Sequence, residues 1–170
     1  MKLNKPFILG VTAASSGAGK TTLIEKIIPA LIKENIRVSV VKHGHHSFEI
    51  DYPGKDSYRL RKAGAYQTLV LNDKRSALIT EYAENPHSFE SSIQRMDKDV
   101  DVILVEGLRQ SHYKKIEVLR KDHSDDKLFL KDPNIIAVIT DGSFSAPIPI
   151  ININDTQAIT HFIITTLKNA

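Results

Sequence analysis

The sequence predicts an α/β fold, a mostly parallel sheet flanked by helices with one antiparallel β-hairpin inserted. Three observations carry that expectation. Short apolar runs of strand length alternate with segments whose apolar residues recur at helical spacing. A glycine-rich stretch ends the first apolar run and opens the first amphipathic segment. Two short apolar segments flank the polar residues Asn72-Asp73-Lys74-Arg75, a hairpin pattern rather than a crossover.

Taken in order, Phe7–Thr12 reads as a strand that ends in small residues. Thr22–Glu34 reads as a helix, with Leu23, Ile24, Ile27, Ile28, Leu31 and Ile32 on one stripe. Pro29 lies inside it and has no N–H for the Glu25 carbonyl, so a kink is expected. Arg37–Lys42 is a strand. Asp56–Ala63 is a helix, with Asp56 or Ser57 as its N-cap and Gly64 as its stop. Gln67–Leu71 and Ser76–Thr80 form the hairpin. Pro86–Lys98 is expected to be a helix, with Phe89, Ile93 and Met96 on one face. Val100–Val105, Ile116–Arg120, Ile135–Thr140 and Ile148–Ile153 are further strands, and Thr156–Leu167 is a closing helix capped by Asp155.

Composition narrows the function classes. A chain of 170 residues, 41% hydrophobic, is expected to form a single domain over residues 1–170 with its own core. No apolar run approaches the roughly 20 residues of a membrane span, and no apolar signal segment follows Met1–Pro6. The expectation is a soluble cytoplasmic protein with no membrane partner. The absence of cysteine excludes a disulfide framework, a thiolate metal site and a cysteine nucleophile. A net charge of +3 and sparse aromatics give no support to nucleic-acid binding.

The strongest local signal is Ala14-Ser15-Ser16-Gly17-Ala18-Gly19-Lys20-Thr21-Thr22. It lies between a strand and a helix, the context that a phosphate-binding loop requires. Gly17 and Gly19 let backbone N–H groups turn inward around an anion, and the helix N-terminus adds unsatisfied donors. Lys20 would reach the β/γ-phosphates and the Thr21 hydroxyl would ligate Mg²⁺. The pattern G-x-x-x-x-G-K-[ST] is met except at its first position, which is Ala14. The fold expectation is therefore of P-loop NTPase type. A nearby strand should supply an acid. Val102–Val105 is flanked by Asp101 and Glu106, about 16 Å apart along a strand, so both cannot serve one metal. Ligands sit beyond the carboxyl ends of parallel strands, which selects Glu106 on the Mg²⁺ or water side. Gly107 allows close approach there. Lys20 and Glu106 are thus the candidate catalytic residues, and Thr21 and Glu106 the candidate metal ligands.

Lys42-His43-Gly44-His45-His46 leaves its strand at the same edge. Three of the seven histidines fall in this stretch. An anion site built on Lys42, His43, His45 and His46, a metal site, and a solvated loop all remain open. Beyond it, Asp51-Tyr52-Pro53-Gly54-Lys55-Asp56-Ser57 contains a turn signal. Asp51 would hold a water or support the metal site, and Lys55 with the following helix start offers another anion seat. An ordinary turn capped by Asp56 explains the same residues. Base selection is harder to read. Asn152-Ile153-Asn154-Asp155 has the spacing of a guanine-reading Asn-Lys-x-Asp segment but no lysine. Asp155 is explained as a cap and Asp141 as a turn former.

These segments, in this order and together with Arg61-Lys62-Ala63-Gly64-Ala65 and Val105-Glu106-Gly107, resemble the MobB family, the molybdopterin-guanine dinucleotide biosynthesis adaptor proteins. The resemblance runs from about Phe7 to the last helix. It implies a homodimeric GTP-binding protein with weak Mg²⁺-dependent GTPase activity. Such a protein would assist the molybdopterin guanylyltransferase and perform the same service toward molybdoenzymes, with molybdopterin or molybdopterin-guanine dinucleotide as a second ligand. It assigns Gly17, Ala18, Gly19, Lys20, Thr21 and Thr22 to phosphates, Thr21 and Glu106 to Mg²⁺, and the Lys42–His46 and Asp51–Ser57 segments to the nucleotide or cofactor edge. The residues alone reach a Mg²⁺-dependent triphosphate binder with a second anionic ligand. A small-molecule kinase is the competing reading; its arginine lid would have to come from Arg109–Lys115. The hairpin Gln67–Thr80 is the candidate dimer interface, because its edge needs cover.

Overall fold

A computed structural model describes residues 6–44, 47–82, 87–122 and 126–169. The chain forms two compact units: Met1–Gly44 with Lys98–Ala170, and His45–Asp97. The first is the sheet unit. Its elements are β1 (Phe7–Thr12), α1 (Lys20–Lys33), β2 (Val38–Lys42), β5 (Val102–Glu106), β6 (Lys115–Leu119), β7 (Ile135–Thr140), β8 (Ile150–Asn152) and α4 (Thr156–Lys168). The second is the hairpin unit, with α2 (Asp56–Lys62), β3 (Gln67–Asn72), β4 (Arg75–Thr80) and the short α3 (Phe89–Ile93).

The six strands of the sheet unit run in the order β2-β5-β1-β6-β7-β8, and every pairing is parallel. Alternation along each strand sorts the side chains into two faces. Leu9, Val11, Val102, Leu104, Ile116, Val118, Ala137 and Ile139 meet Leu23, Ile27 and Leu31 of α1 and Ile159 and Ile163 of α4 in one core. The helical stripe expected for α1 is the face it buries at Leu23, Ile24, Ile27 and Leu31, with Ile28 partly buried; Ile32, expected on the same stripe, is exposed, because it falls in the last turn of the helix, at the edge of the core. Pro29 lies inside α1, which is assigned without a break from Lys20 to Lys33. Asp155 caps α4 as expected, its carboxylate accepting the Ala158 N–H at 2.9 Å.

The alternate positions of β6 carry two buried charges. Lys115 is fully buried; its ammonium pairs with Asp132 at 3.0 Å and donates to the Ser111 and Tyr113 carbonyls. Its chain lies where a side chain on Gly10 would be, 2.6 Å from the position of a Cβ there, so the residue opposite it must be glycine. Glu117 is equally buried and accepts the N–H groups of Leu128 and Phe129 at 2.9 Å, which holds the 3-10 turn Leu128–Leu130. That turn was not anticipated, because its acceptor lies eleven residues upstream on a strand.

Several boundaries differ from the sequence expectation. The helix expected over Pro86–Lys98 is only Phe89–Ile93, capped by Ser88 through the Ser91 N–H. Its apolar residues were too few to bury a longer stripe. Helix α2 begins at Asp56 itself; the N-cap position is Lys55 and no side chain caps it, which corrects the assignment of Asp56 or Ser57 as cap. Its end is as expected: the Gly64 N–H bonds to the Arg61 carbonyl and the Ala65 N–H to the Leu60 carbonyl. The hairpin is tighter than expected, since Asn72 and Arg75 pair across a two-residue turn. The Asn72 side chain accepts the Lys74 and Arg75 N–H groups, both at 2.9 Å, and so takes over the work of the turn.

Candidate functional site

Strands β1, β5 and β2 lie side by side and parallel, so their carboxyl ends open on one edge. The chain leaving β1 forms the loop Ala13–Gly19 and enters α1 at Lys20. Gly17 (φ 77°) and Gly19 (φ 96°) take left-handed conformations that a side chain would resist. The helix start has no side-chain cap, which leaves its N–H donors to the loop. Lys20 Nζ donates to the Ser15 carbonyl at 3.2 Å, folding the lysine back over the loop.

Glu106 ends β5 and accepts the Thr21 hydroxyl at 2.8 Å. Two hard oxygen donors, 85 residues apart in sequence, thus meet at the start of α1. This donor set suits Mg²⁺ carried in with a phosphate chain. Asp101 sits at the opposite end of the same strand, where its carboxylate accepts the Arg37 N–H at 2.7 Å. The strand-length argument separated the two acids correctly.

Lys42 is paired in register with Glu106, and the His43 N–H bonds to the Glu106 carbonyl at 3.0 Å. Lys42 and His43 therefore stand on the edge that holds the loop. Gly107 makes this possible. Its φ is 103°, and a Cβ there would come within 2.7 Å of the His43 carbonyl oxygen. His45 and His46 lie outside the described residues. Asp51, Lys55 and Asp56 belong to the hairpin unit. There the Asp51 carboxylate accepts the Tyr52 N–H at 2.9 Å and the Ser57 hydroxyl at 3.1 Å, so it organises the turn that precedes α2. Lys55 and Asp56 are exposed.

The structure adds residues of the sheet unit to the predicted site: Arg120 was not singled out in the sequence, and Arg109, Asn154 and Asp141 were weighed there only for other roles or set aside. Arg109 donates to the Ala14 carbonyl of the loop at 3.2 Å and pairs with Asp126. It follows two consecutive left-handed residues, Gly107 and Leu108. Arg120 and Asn154 line a cavity of about 440 Å³ that begins at Gly17 and Gly19 and crosses Thr22 to the ends of β6, β7 and β8. Asp141 lines it too. Its carboxylate takes the Lys121 N–H at 2.8 Å and Arg120 Nε at 2.9 Å. The Lys121 N–H, helped by the Arg120 charge, holds its carboxyl below the ordinary carboxylate value. It is thus no mere turn former: both partners come from a different strand end. Each of the three cavity residues falls just past a strand, a signal visible in the sequence only once the sheet order is known.

Fold and loop together define an α/β protein with a parallel sheet and a strand–loop–helix unit of the phosphate-loop type. The family model described as molybdopterin guanine dinucleotide synthesis protein B, MobB, matches residues 8–141, and the chain belongs to that family. It is 42% identical over 159 residues to the molybdopterin-guanine dinucleotide biosynthesis adapter protein of Escherichia coli K12, covering 89% of each chain. It is 40% identical over 157 residues to the protein of the same name from Haemophilus influenzae, covering 92% of this chain and 86% of that one. Among solved structures, a molybdopterin-guanine biosynthesis protein B superposes with a TM-score of 0.74 at 24% identity, covering 94% of this chain and 99% of the other. Bacillus subtilis MobB superposes with a TM-score of 0.72 at 24% identity, covering 96% and 99%. These superpositions speak for the fold alone.

Proposed function

We propose that this protein is a GTP-binding adaptor with weak Mg²⁺-dependent GTPase activity, acting in molybdopterin-guanine dinucleotide biosynthesis beside the guanylyltransferase. The observation that carries the nucleotide part is the convergence of Lys20, the Thr21–Glu106 hydrogen bond and the uncapped start of α1 around one loop. The pathway part rests on family membership and on the names of the relatives. On binding, Lys20 leaves the Ser15 carbonyl for phosphate oxygens, and the loop N–H groups surround the β-phosphate. Mg²⁺ held by Thr21 and Glu106 would offset phosphate charge. Lys42 and His43 add positive or donor groups at the same edge, suited to a second anionic ligand of the molybdopterin type.

The kinase reading needs a mobile arginine. Arg109 is instead tied to the Ala14 carbonyl and to Asp126. The adaptor reading also takes the protein as a homodimer. On one face of the hairpin, Leu69, Leu71 and Leu78 are exposed together, since Leu69 and Leu78 are directly opposed and Leu71 lies two residues along. This face is the proposed contact between copies. Calorimetry with Mg²⁺ and GTP tests the nucleotide site. Lys20→Ala is expected to abolish binding while leaving the melting temperature in place; unchanged affinity would refute the assignment. Retention of a molybdopterin guanylyltransferase on the immobilised protein tests the partner, and no retention in the presence of GTP would count against it.

A further inference from the structure

We infer that the cavity at the carboxyl ends of β6, β7 and β8 seats the nucleotide base, with Asp141 selecting guanine by its paired N1–H and N2–H donors. This rests on the nucleotide-binding reading above and adds a selectivity to it. Parallel topology gathers the residues. Arg120, Asp141 and Asn154 each follow the end of a neighbouring strand, and the cavity they line is continuous with Gly19 of the loop. A nucleotide anchored by its phosphates there would extend its sugar and base across Thr22 into that space.

The chemistry of the wall favours one base. Two protein donors fix the Asp141 carboxylate, the Lys121 N–H on one oxygen and Arg120 Nε on the other. A carboxylate has about four acceptor sites, so each oxygen still accepts one more bond. Guanine presents two adjacent donors, N1–H and N2–H, and matches. Adenine presents a donor beside the N1 lone pair, which would face the carboxylate. The Asn154 side chain supplies a donor suited to the guanine carbonyl; its backbone N–H is already bound to the Asn152 side chain. Arg120 spans the remaining distance. One guanidinium nitrogen lies 4.0 Å from where a Cβ on Gly19 would be, and its Nε is held by Asp141. The planar cation is thus fixed in place between loop and carboxylate, a surface on which a purine ring can stack.

The test is calorimetry on the full chain with Mg²⁺ and GTP, ATP or xanthosine triphosphate. The wild-type protein is expected to prefer GTP over ATP by about 10- to 100-fold, the scale of one bidentate base contact. Xanthine carries a carbonyl where guanine carries its amino group. Asp141→Asn, which turns one acceptor into a donor, should therefore lose GTP affinity by about 10- to 100-fold and gain a similar factor for xanthosine triphosphate. A gain cannot arise from misfolding. Equal wild-type affinity for GTP and ATP, or an Asp141→Asn protein with no gain for xanthosine triphosphate, would overturn the base seat and leave the phosphate loop standing. A wild-type protein that binds none of the three would overturn both.

Discussion

In the sheet unit Leu9, Val102, Leu104 and Ile139 are wholly shielded from solvent, whereas Leu69, Leu71 and Leu78 of the hairpin are 56%, 67% and 55% exposed. The sheet unit builds one core between its strands and the two helices α1 and α4. It even encloses charges, each answered by a partner: Lys115 by Asp132, Glu117 by two N–H groups. The hairpin unit is organised differently. Its most buried charged group, Arg61, sits between Glu49 and Glu81, and its apolar face is left to the outside. Burial raises the Glu49 carboxyl, but the Asp51 N–H, the Arg61 charge and the Ile50 N–H outweigh it and hold the group below its ordinary value. A rigid, self-satisfied scaffold presents the loop. A unit tied by ion pairs, with apolar residues unspent, is suited to meeting another molecule.

Four variants probe that contrast, taken from the largest effect down. Asp132→Asn removes the partner of a fully buried ammonium and should cost about 3 kcal/mol, at the low end for a broken buried pair because Asp132 is partly exposed. Urea unfolding would measure it, and a loss below about 0.5 kcal/mol would show that the scaffold does not depend on its buried charges. Gly107→Ala forces a Cβ against the His43 carbonyl at a positive φ. About 2 kcal/mol of destabilisation is expected, together with weaker GTP binding, because Glu106 is next in the chain. An alanine variant as stable as wild type would mean that this turn relaxes freely.

A smaller effect is a pH slope. Burial pushes the Glu117 carboxyl above its ordinary value despite its two N–H bonds. A raised folded-state pKa gives stability that is complete below the unfolded value of 4.5 and declines as pH climbs through the folded one. Asp132 and Asp141 are lowered, so their contribution is lost in the opposite direction, as pH falls below the ordinary 3.8 toward their folded values. Melting temperature should therefore fall on both sides of a maximum, and Glu117→Gln should remove the alkaline-side slope only. A slope that survives that change must come from another group. Smallest in stability is the double change Leu71→Ser with Leu78→Ser, which should move unfolding by no more than about 0.5 kcal/mol, since neither side chain is buried. Light scattering should nonetheless report a shift from dimer to monomer. A dimer that persisted would place the interface elsewhere.

Much of the sheet unit was legible without coordinates. The strand expected over Val100–Val105 is found at Val102–Glu106, legible because Val102 to Val105 are all apolar, and the loop reads as a loop because glycine and lysine stand where a strand meets a helix. Asp155 was legible as a cap for the same local reason. In the hairpin unit the strands were legible, and so was α2 with its Gly64 stop; the short extent of α3 and the uncapped start of α2 were not, because they depend on packing that local pattern does not encode.

The sequence by itself determined the strand–loop–helix, the placing of Glu106 rather than Asp101 at the loop edge and most of the apolar stripe of α1, because these follow from spacing along one or two elements. Only the tertiary structure decided that Arg120, Asp141 and Asn154 share a cavity with Gly19, or that Gly10 makes room for Lys115. Those relations cross strand boundaries. They depend on the order in which parallel strands are laid side by side, and nothing in the spacing of residues along the chain specifies that order.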